Sequence, residues 1–497
     1  MTIFKKRNLS LKILLFLLIF SIFLSTSLFR LDPDFGWHLK TGQLILQNRQ
    51  IPHIDWYSYT MPNFPWIAHE WLTDILIYLI YSIFGYFALS FIFALISTLS
   101  VFIVVSARKI KYSFIPAILG TLALLPFVGV RPQMITILFL AIIYVLIKKF
   151  LWSQQNKKIF FLLPLIFILW ANLHGGFFIG LFLLFLFFVI KLFHYFKNNS
   201  KNNLFPFDIL LILLGCILAT FINPYGPYIY REVFSTIIDP FLKFHINEWL
   251  PLFYNLNLFL IIYLGTFIGL LICLYKDFSF FDDLFIPIIF LLLGISSTRN
   301  FALFVIISIP LITDFLLITS RKANKRKKNY FKENLKSPVV IFFLSVGFLC
   351  IFMSNINQGL ITNNTYPYKA ITYLKSHPIK GNMFNVYDWG GFLIWNLPEN
   401  KVFIDGRMPS WQYNNKYVFK DYVDMTKDKN SCQDLLKKYD VKYALVKKKE
   451  TENNIIDKWL YNSFNHQASN KSFKEMFIDL GYTIVYQDEI AIIFKSH

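Results

Sequence analysis

Two carboxylates, Asp32 and Asp34, stand in the stretch Asp32-Pro33-Asp34-Phe35-Gly36-Trp37-His38, directly after the first long apolar run of the chain. Transfer of a group to a hydroxyl needs a base that takes the hydroxyl proton as the new bond forms. A carboxylate at the edge of a low-dielectric region has a raised proton affinity, which suits that task. The structural alternative is that both acids cap a helix over 35–48, because an Asp at a helix start stabilises it by about 1 kcal/mol. The same loop, 30–70, holds His38, His53, Asp55, His69 and Glu70 among Trp37, Trp56, Tyr57, Tyr59 and Trp66. An interfacial aromatic belt accounts for some of the rings and for none of the acids. His38 and His69 have no zinc-type spacing with cysteines, which argues against a zinc site.

The elements that must position these residues are membrane-spanning helices. The 497-residue chain is 56% hydrophobic and only 16% charged, with a mean hydropathy of +0.50; soluble domains carry about a quarter charged residues. Apolar runs long enough to cross a hydrocarbon core of about 30 Å recur along it. They fall at 10–29, 71–106, 113–130, 132–150, 158–173, 177–196, 207–222, 257–275, 283–298, 300–319 and 338–354. Gly85 divides 71–106, which reads either as an interfacial helix plus one crossing or as three short crossings; the total is therefore about eleven to thirteen spans. Lys5, Lys6, Arg7 and Lys12 precede the first run, and Ser25-Thr26-Ser27 is a poor cleavage site, so that run reads as a retained helix rather than a signal peptide.

The formal net charge of +20 sits mainly in short clusters between apolar runs, the densest being Arg321, Lys322, Lys325, Arg326, Lys327 and Lys328. That is positive-inside patterning and excludes nucleic acid as the natural partner. With a cytoplasmic N-terminus, the basic turns lie inside. The turns expected outside carry isolated and chemically varied polar groups: Arg131 and Gln133, Asn172 and His174, Asn223 and Tyr225, Glu248 and Trp249, Arg299 and Asn300. Ionisable groups near a bilayer are costly and mark functional positions. The expected domains are a membrane domain over 1–354, with outer loop 30–70, and a soluble extracytoplasmic domain over 355–497. In the latter, 401–404 and 489–494 read as strands and 431–439 and 471–480 as helices, giving a small α/β fold. Of the four cysteines, Cys216, Cys273 and Cys350 lie in apolar segments and Cys432 is alone in the tail, so no disulfide framework is implied.

An acidic pair just after the first helix, in a long first outer loop of a many-helix chain, resembles the GT-C superfamily of membrane glycosyltransferases. Tyr387-Asp388-Trp389-Gly390-Gly391 is similar to the Trp-Trp-Asp-Tyr-Gly motif with which oligosaccharyltransferases hold their acceptor, although the aromatic order differs, so recognition of an asparagine sequon is not implied. The resemblance implies a polytopic GT-C-like helical bundle with an outward C-terminal α/β domain; separately, the richness in Lys, Asn, Ile and Phe suggests an AT-rich bacterial genome and hence the cell membrane of a bacterium. The resemblance also implies a polyprenyl-phosphate-linked sugar as donor and a glycan, lipid or protein as acceptor. Asp32 or Asp34 then activates the acceptor, and Tyr387, Asp388 and Trp389 contact it. A divalent metal on the acids, as in oligosaccharyltransferases, stays open.

A phosphate leaving group gathers negative charge as the glycosidic bond breaks, and fixed donors aimed at that charge lower the barrier. Arg131 and Arg299 suit this because guanidinium binds phosphate oxygens as a fork; the alternative for each is snorkelling to the headgroups. His174, in Asn172-Leu173-His174-Gly175-Gly176, joins them on the same expected face. Glu248 is a third acid, a metal ligand or a surface residue, and His38, His69 and Glu70 support the first loop. Asp405-Gly406-Arg407 reads as a turn with a local ion pair or as part of the site, and Asn223-Pro224-Tyr225-Gly226 as a helix-ending turn. A transporter or flippase of lipid-linked glycans and a non-catalytic scaffold are the rival classes. No inverted repeat supports the first, and retention of both acids speaks against the second. No Walker or dinucleotide motif provides for nucleotide chemistry.

Overall fold

The computed structural model describes residues 2–108, 110–150, 159–197, 206–326, 366–449 and 472–497. The expected last span, 338–354, with Cys350, lies outside the described residues. The chain forms two compact units. The first comprises Met1–Arg30, Phe84–Ile229 and His245–Gln358. The second comprises Leu31–Ile83, Tyr230–Phe244 and Gly359–His497.

The first unit is a helical bundle. Its helices are α1 (Thr2–Phe29), the second part of α3 (Trp71–Ser106), α4 (Ile110–Leu124), α5 (Gln133–Phe150), α6 (Ile159–Leu173), α7 (Phe177–Lys197), α8 (Phe207–Ala219), α11 (Leu258–Leu274), α12 (Phe285–Ser296) and α13 (Phe301–Arg326). Four helices among the described residues are long and apolar enough to cross a membrane, and four further apolar helices are shorter. The chain is accordingly a multi-pass membrane protein. The helix α13 is the centre: 78% of its most apolar window is buried, and it packs against α4, α5, α11 and α12. Edge-to-face packing of Phe304 on Tyr263 and Phe267 fills that core, while the Tyr263 hydroxyl is satisfied by Ser308 at 2.7 Å. Half-buried polar side chains are paired, as Arg108 with Asp314 (2.9 Å) and His194 with Asp282 (2.8 Å).

Helix α3 runs 36 residues but breaks at Gly85, where φ is 73° and ψ is −174°. Residues 71–84 rise only about 21 Å and 86–106 about 31 Å. The segment therefore consists of two helical pieces rather than three short crossings.

The second unit joins the first loop to the C-terminal segment. It contains α2 (Phe35–Asn48), the start of α3, α14 (Tyr368–Ser376), α15 (Gly390–Asn396), α16 (Val418–Asp424), α17 (Lys429–Lys438) and α18 (Phe473–Asp479). Four strands, β1 (Asn382–Asn385), β2 (Val441–Lys447), β3 (Thr483–Gln487) and β4 (Ala491–Lys495), form a sheet in the order β1-β2-β4-β3. The first pair is parallel and the other two are antiparallel. On β4 the run Ala491–Phe494 is wholly buried, which explains its continuous apolar sequence. A reciprocal Ser472–Glu475 capping box starts α18.

The expected strand at 401–404 is instead a single bridge, Ser58 with Val402. Its backbone is taken up locally: Asn385 Oδ1 accepts from the Phe403 N–H at 2.8 Å, and Asn385 Nδ2 donates to the Ile404 carbonyl at 2.8 Å. With the Asp405 turn immediately following, no ladder can extend. Segment 230–244, which carries most of α9 (Ile229–Ile238) and α10 (Pro240–His245), is tied to the same unit by Asp239, which accepts from Tyr417 (2.8 Å) and Gln412 (2.9 Å).

Candidate active site

Asp34 is the residue just before α2, and its side chain makes no capping hydrogen bond. Asp32 Oδ1 accepts from the Asp34 N–H at 2.9 Å, closing a short turn ahead of the helix. Side-chain capping of α2 therefore does not explain Asp34, while Asp32 holds the turn that leads into the helix. The Asp34 carboxylate lies against Gly406, where an added Cβ would collide with it. A second close approach fixes the backbone nearby. Gly36 on α2 and Gly391 on α15 meet so tightly that a Cβ on Gly36 would strike the Gly391 carbonyl, and one on Gly391 would strike the Pro33 carbonyl. Side-chain-free residues are what allow α15, which opens at the Tyr-Asp-Trp-Gly-Gly motif, to sit on the acid-bearing turn.

The 405–407 turn is held by a buried ion pair, as its sequence indicated. Arg407 donates to both Asp405 oxygens, at 2.8 and 2.7 Å, and lies 3.0 Å from Asp55. Tyr57, Trp66 and Trp411 surround the guanidinium, with ring centroids 4.6, 4.5 and 5.1 Å away. Burial opposes the charge, but Asp405 and Asp55 outweigh it and push the Arg407 pKa further up. Asp55 is in turn fixed by the Tyr57 and Ser58 N–H groups and the Ser58 hydroxyl.

Beside this lies a buried cluster. His38 Nδ1 is 2.6 Å from Asp74 Oδ1, His38 Nε2 is 3.5 Å from Glu70 Oε2, and His69 Nε2 is 3.5 Å from Glu70 Oε1. Burial lowers the basicity of His38, yet Asp74, then Glu70 and Asp34, reverse this and raise its pKa. His69 is likewise pushed up to about 9, because Glu70 and Glu232 outweigh its burial. Asp74 and Glu232 were missed in the sequence. The signal for Asp74 was there, since an acid four residues after Glu70 at the head of an apolar run is costly without a partner. Asp32 and Asp34 themselves belong to no group of three or more metal-type ligands among the described residues.

Of the acceptor motif, Trp389 is 2% exposed and belongs to the core. Asp388 is at the surface, 2.5 Å from Lys447, and the Tyr387 N–H donates to the Tyr422 hydroxyl at 3.2 Å.

The first unit brings the cationic candidates together around one acid. Arg131, at the start of α5, pairs with Glu248. Arg299 lies over the Trp249 ring at 4.8 Å, and the Ser297 hydroxyl donates to the Glu248 carbonyl at 3.3 Å. Burial works against ionisation of Glu248, but Arg131 and Arg299, with Arg30, prevail and hold its carboxyl below the usual range. Three guanidiniums about one carboxylate leave a net positive field, suited to an anion. His174 shares a 2.7 Å hydrogen bond with Thr136 and accepts from the Gly176 N–H at 2.8 Å. Its Nδ1 is thereby engaged in the turn between α6 and α7. Asn223 forms a turn, accepting from the Tyr225 N–H at 2.7 Å.

The sequence matches no family model and no curated protein. Solved structures do match the fold. One is the oligosaccharyltransferase AglB of Archaeoglobus fulgidus in complex with an inhibitory peptide and a dolichol-phosphate, at 13% identity and TM-score 0.54, covering 89% of this chain and 69% of that one. The Archaeoglobus fulgidus enzyme tethered to an acceptor peptide containing an NVT sequon matches at 13% identity and TM-score 0.55, with the same coverage. Its apo form matches at 12% identity and TM-score 0.52, covering 88% and 69%. At these identities the likeness is one of fold, and the fold of this chain is GT-C-like: a polytopic helical bundle with a small C-terminal α/β domain.

Proposed function

We propose that this chain is a membrane glycosyltransferase that moves a sugar from a polyprenyl-phosphate-type lipid donor to an acceptor at the outer membrane face. The observation that carries the reading is the acid pair in this fold. Asp34 stands at the head of α2 with its carboxylate packed against the Gly406 turn. In this reading Asp34, or Asp32 beside it, takes the acceptor hydroxyl proton as the hydroxyl oxygen attacks the anomeric carbon. The bond to the lipid phosphate breaks with inversion, and the phosphate leaves with the electron pair. Arg131 and Arg299 meet its growing charge, and Glu248 holds Arg131 in place until an anion arrives. His174 shapes the neighbouring turn and contributes to donor binding. Tyr387 and Asp388 contact the acceptor, with Trp389 as their buried support.

A dolichol-phosphate is bound in one of the similar structures, which supports a lipid-linked donor here. The test is mass spectrometry of lipids that copurify with the protein, followed by a transfer assay with the lipid found. A polyprenyl-phosphate sugar consumed together with acceptor modification supports the reading. A lipid carried across vesicle bilayers without chemical change, or no polyprenyl lipid at all, overturns it in favour of transport or scaffolding.

A further inference from the structure

We propose that His38 is a positioning residue for Asp34: an imidazolium clamped between Glu70 and Asp74, it ties α2 to the start of α3 and keeps a fixed positive charge one helical turn from the acid. The inference rests on the reading of the first-loop acids as the proton acceptor, and adds to it the group that holds one of them charged and in place. Both nitrogens of the His38 ring face carboxylates, Nδ1 at 2.6 Å from Asp74 Oδ1 and Nε2 at 3.5 Å from Glu70 Oε2. A neutral imidazole has one N–H and one lone pair, so in either tautomer one nitrogen would turn its lone pair on a carboxylate; the imidazolium offers an N–H to each. Glu70 faces a second imidazole through its other oxygen, at 3.5 Å from His69 Nε2, and a place between two imidazoles favours its charged form.

The surroundings make that charge count. The side chains of His38, Glu70 and Asp74 are 4%, 8% and 0% exposed, so little solvent screens the attraction. Among the described residues, the charged groups that act on the ring are acids: Asp74 on α3, Glu70 just before it and Asp34 just before α2. Glu232 on α9 acts at one remove, on His69 and Glu70. Simple core packing would call for no acid at either nitrogen. Two links then join the ring to Asp34. The His38 N–H donates to the Asp34 carbonyl at 3.3 Å, closing the first turn of α2, so a ring held by Glu70 and Asp74 holds that turn against α3. The second link is electrostatic and mutual. Asp34 favours the imidazolium, and the imidazolium favours an ionised Asp34, the form that a general base needs.

The experiment uses the full-length protein with two readouts. The first is the resonance of histidines labelled with 13C at Cε1, followed from pH 6 to 9 in detergent. The His38 signal is assigned by its loss in His38→Gln or, if that variant does not fold, by its displacement in Glu70→Gln. It should keep the imidazolium position past pH 7.5, above the ordinary histidine midpoint of about 6.5, and Glu70→Gln should lower its midpoint by about one pH unit or more. The second is the pH–rate profile of sugar transfer. His38→Gln should lose about tenfold to a hundredfold in kcat with KM little changed, and its acidic limb should move up by about one pH unit, a shift that a purely structural role would not produce. A neutral His38 ring at pH 7 in the unmodified protein overturns the proposal. So does a His38→Gln enzyme with the wild-type kcat and acidic limb. The resonance does not depend on transfer, so a neutral ring leaves the proposed function standing, while a charged ring in a protein that transfers no sugar would leave the clamp standing and sink its role beside a base.

Discussion

Replacing Arg407 with Ala tests how the acid-bearing loop is braced. Arg407 and its partners Asp405 and Asp55 are 2% exposed or less, so the substitution strands buried negative charge. Removing one partner of such a pair costs about 3–5 kcal/mol. The two carboxylates do not suffer equally. Asp55 keeps three other donors, from Tyr57 and Ser58, whereas among the described residues Asp405 keeps only the backbone N–H of residue 407. The penalty therefore falls mainly on Asp405, and about 4 kcal/mol is the expected total once lost ring contacts are included. For a unit of roughly two hundred residues this lowers the melting temperature by about 8–16 °C. Tryptophan fluorescence during thermal unfolding is the assay, because Trp66 and Trp411 lie against the guanidinium. Since Gly406 touches Asp34, transfer activity should fall as well. The double variant Asp405→Asn with Arg407→Met removes the stranded charge and should recover at least half of the lost stability. A drop below about 3 °C in the single variant, or a double variant no more stable than the single, refutes the argument.

Further outcomes follow from the same geometry. Gly406→Ala pushes a methyl into the Asp34 carboxylate; a stability loss of about 1–3 kcal/mol should come with a larger loss in kcat than in KM, measured by steady-state transfer. Gly36→Ala drives α2 against the Gly391 carbonyl and should destabilise by a similar 1–3 kcal/mol or so, read by chemical unfolding. Glu248 is 42% exposed at its side chain, so its pair with Arg131 is worth only about 0.5–1 kcal/mol. Its carboxyl is held low in the folded state, so this stability is present at neutral pH and lost as pH falls through that depressed value. Glu248→Gln should accordingly melt slightly below wild type at pH 7, with the gap closing below about pH 4. A gap that widens in acid contradicts that assignment.

The apolar runs were legible because membrane helices depend on composition and length, which a sequence carries openly. The helix over 35–48 and the Gly85 break appeared as expected for the same local reasons. Less was legible where distant segments meet. Nothing in Gly36 or Gly391 alone announces that the two must touch, and the 401–404 run has strand-like alternation until Asn385 takes its hydrogen bonds. The Asp405–Arg407 pair was readable from its spacing, but the recruitment of Asp55 and three aromatic rings to it was not. The cation group showed the same division. Arg131, Glu248 and Arg299 stood out individually as charged groups beside apolar runs, and only the folded chain pairs Arg131 with Glu248. The carboxylate of Asp74 was overlooked because it falls inside a run that reads as purely apolar.

The central claim is that the acids of the first loop perform proton transfer in a sugar-transfer reaction. Single-turnover transfer from a polyprenyl-phosphate sugar in nanodiscs, comparing Asp32→Asn and Asp34→Asn with the unmodified protein, tests it most directly. At least one variant should lose about 10²-fold or more in rate while binding the lipid donor with unchanged affinity. Both variants turning over at the wild-type rate would contradict it.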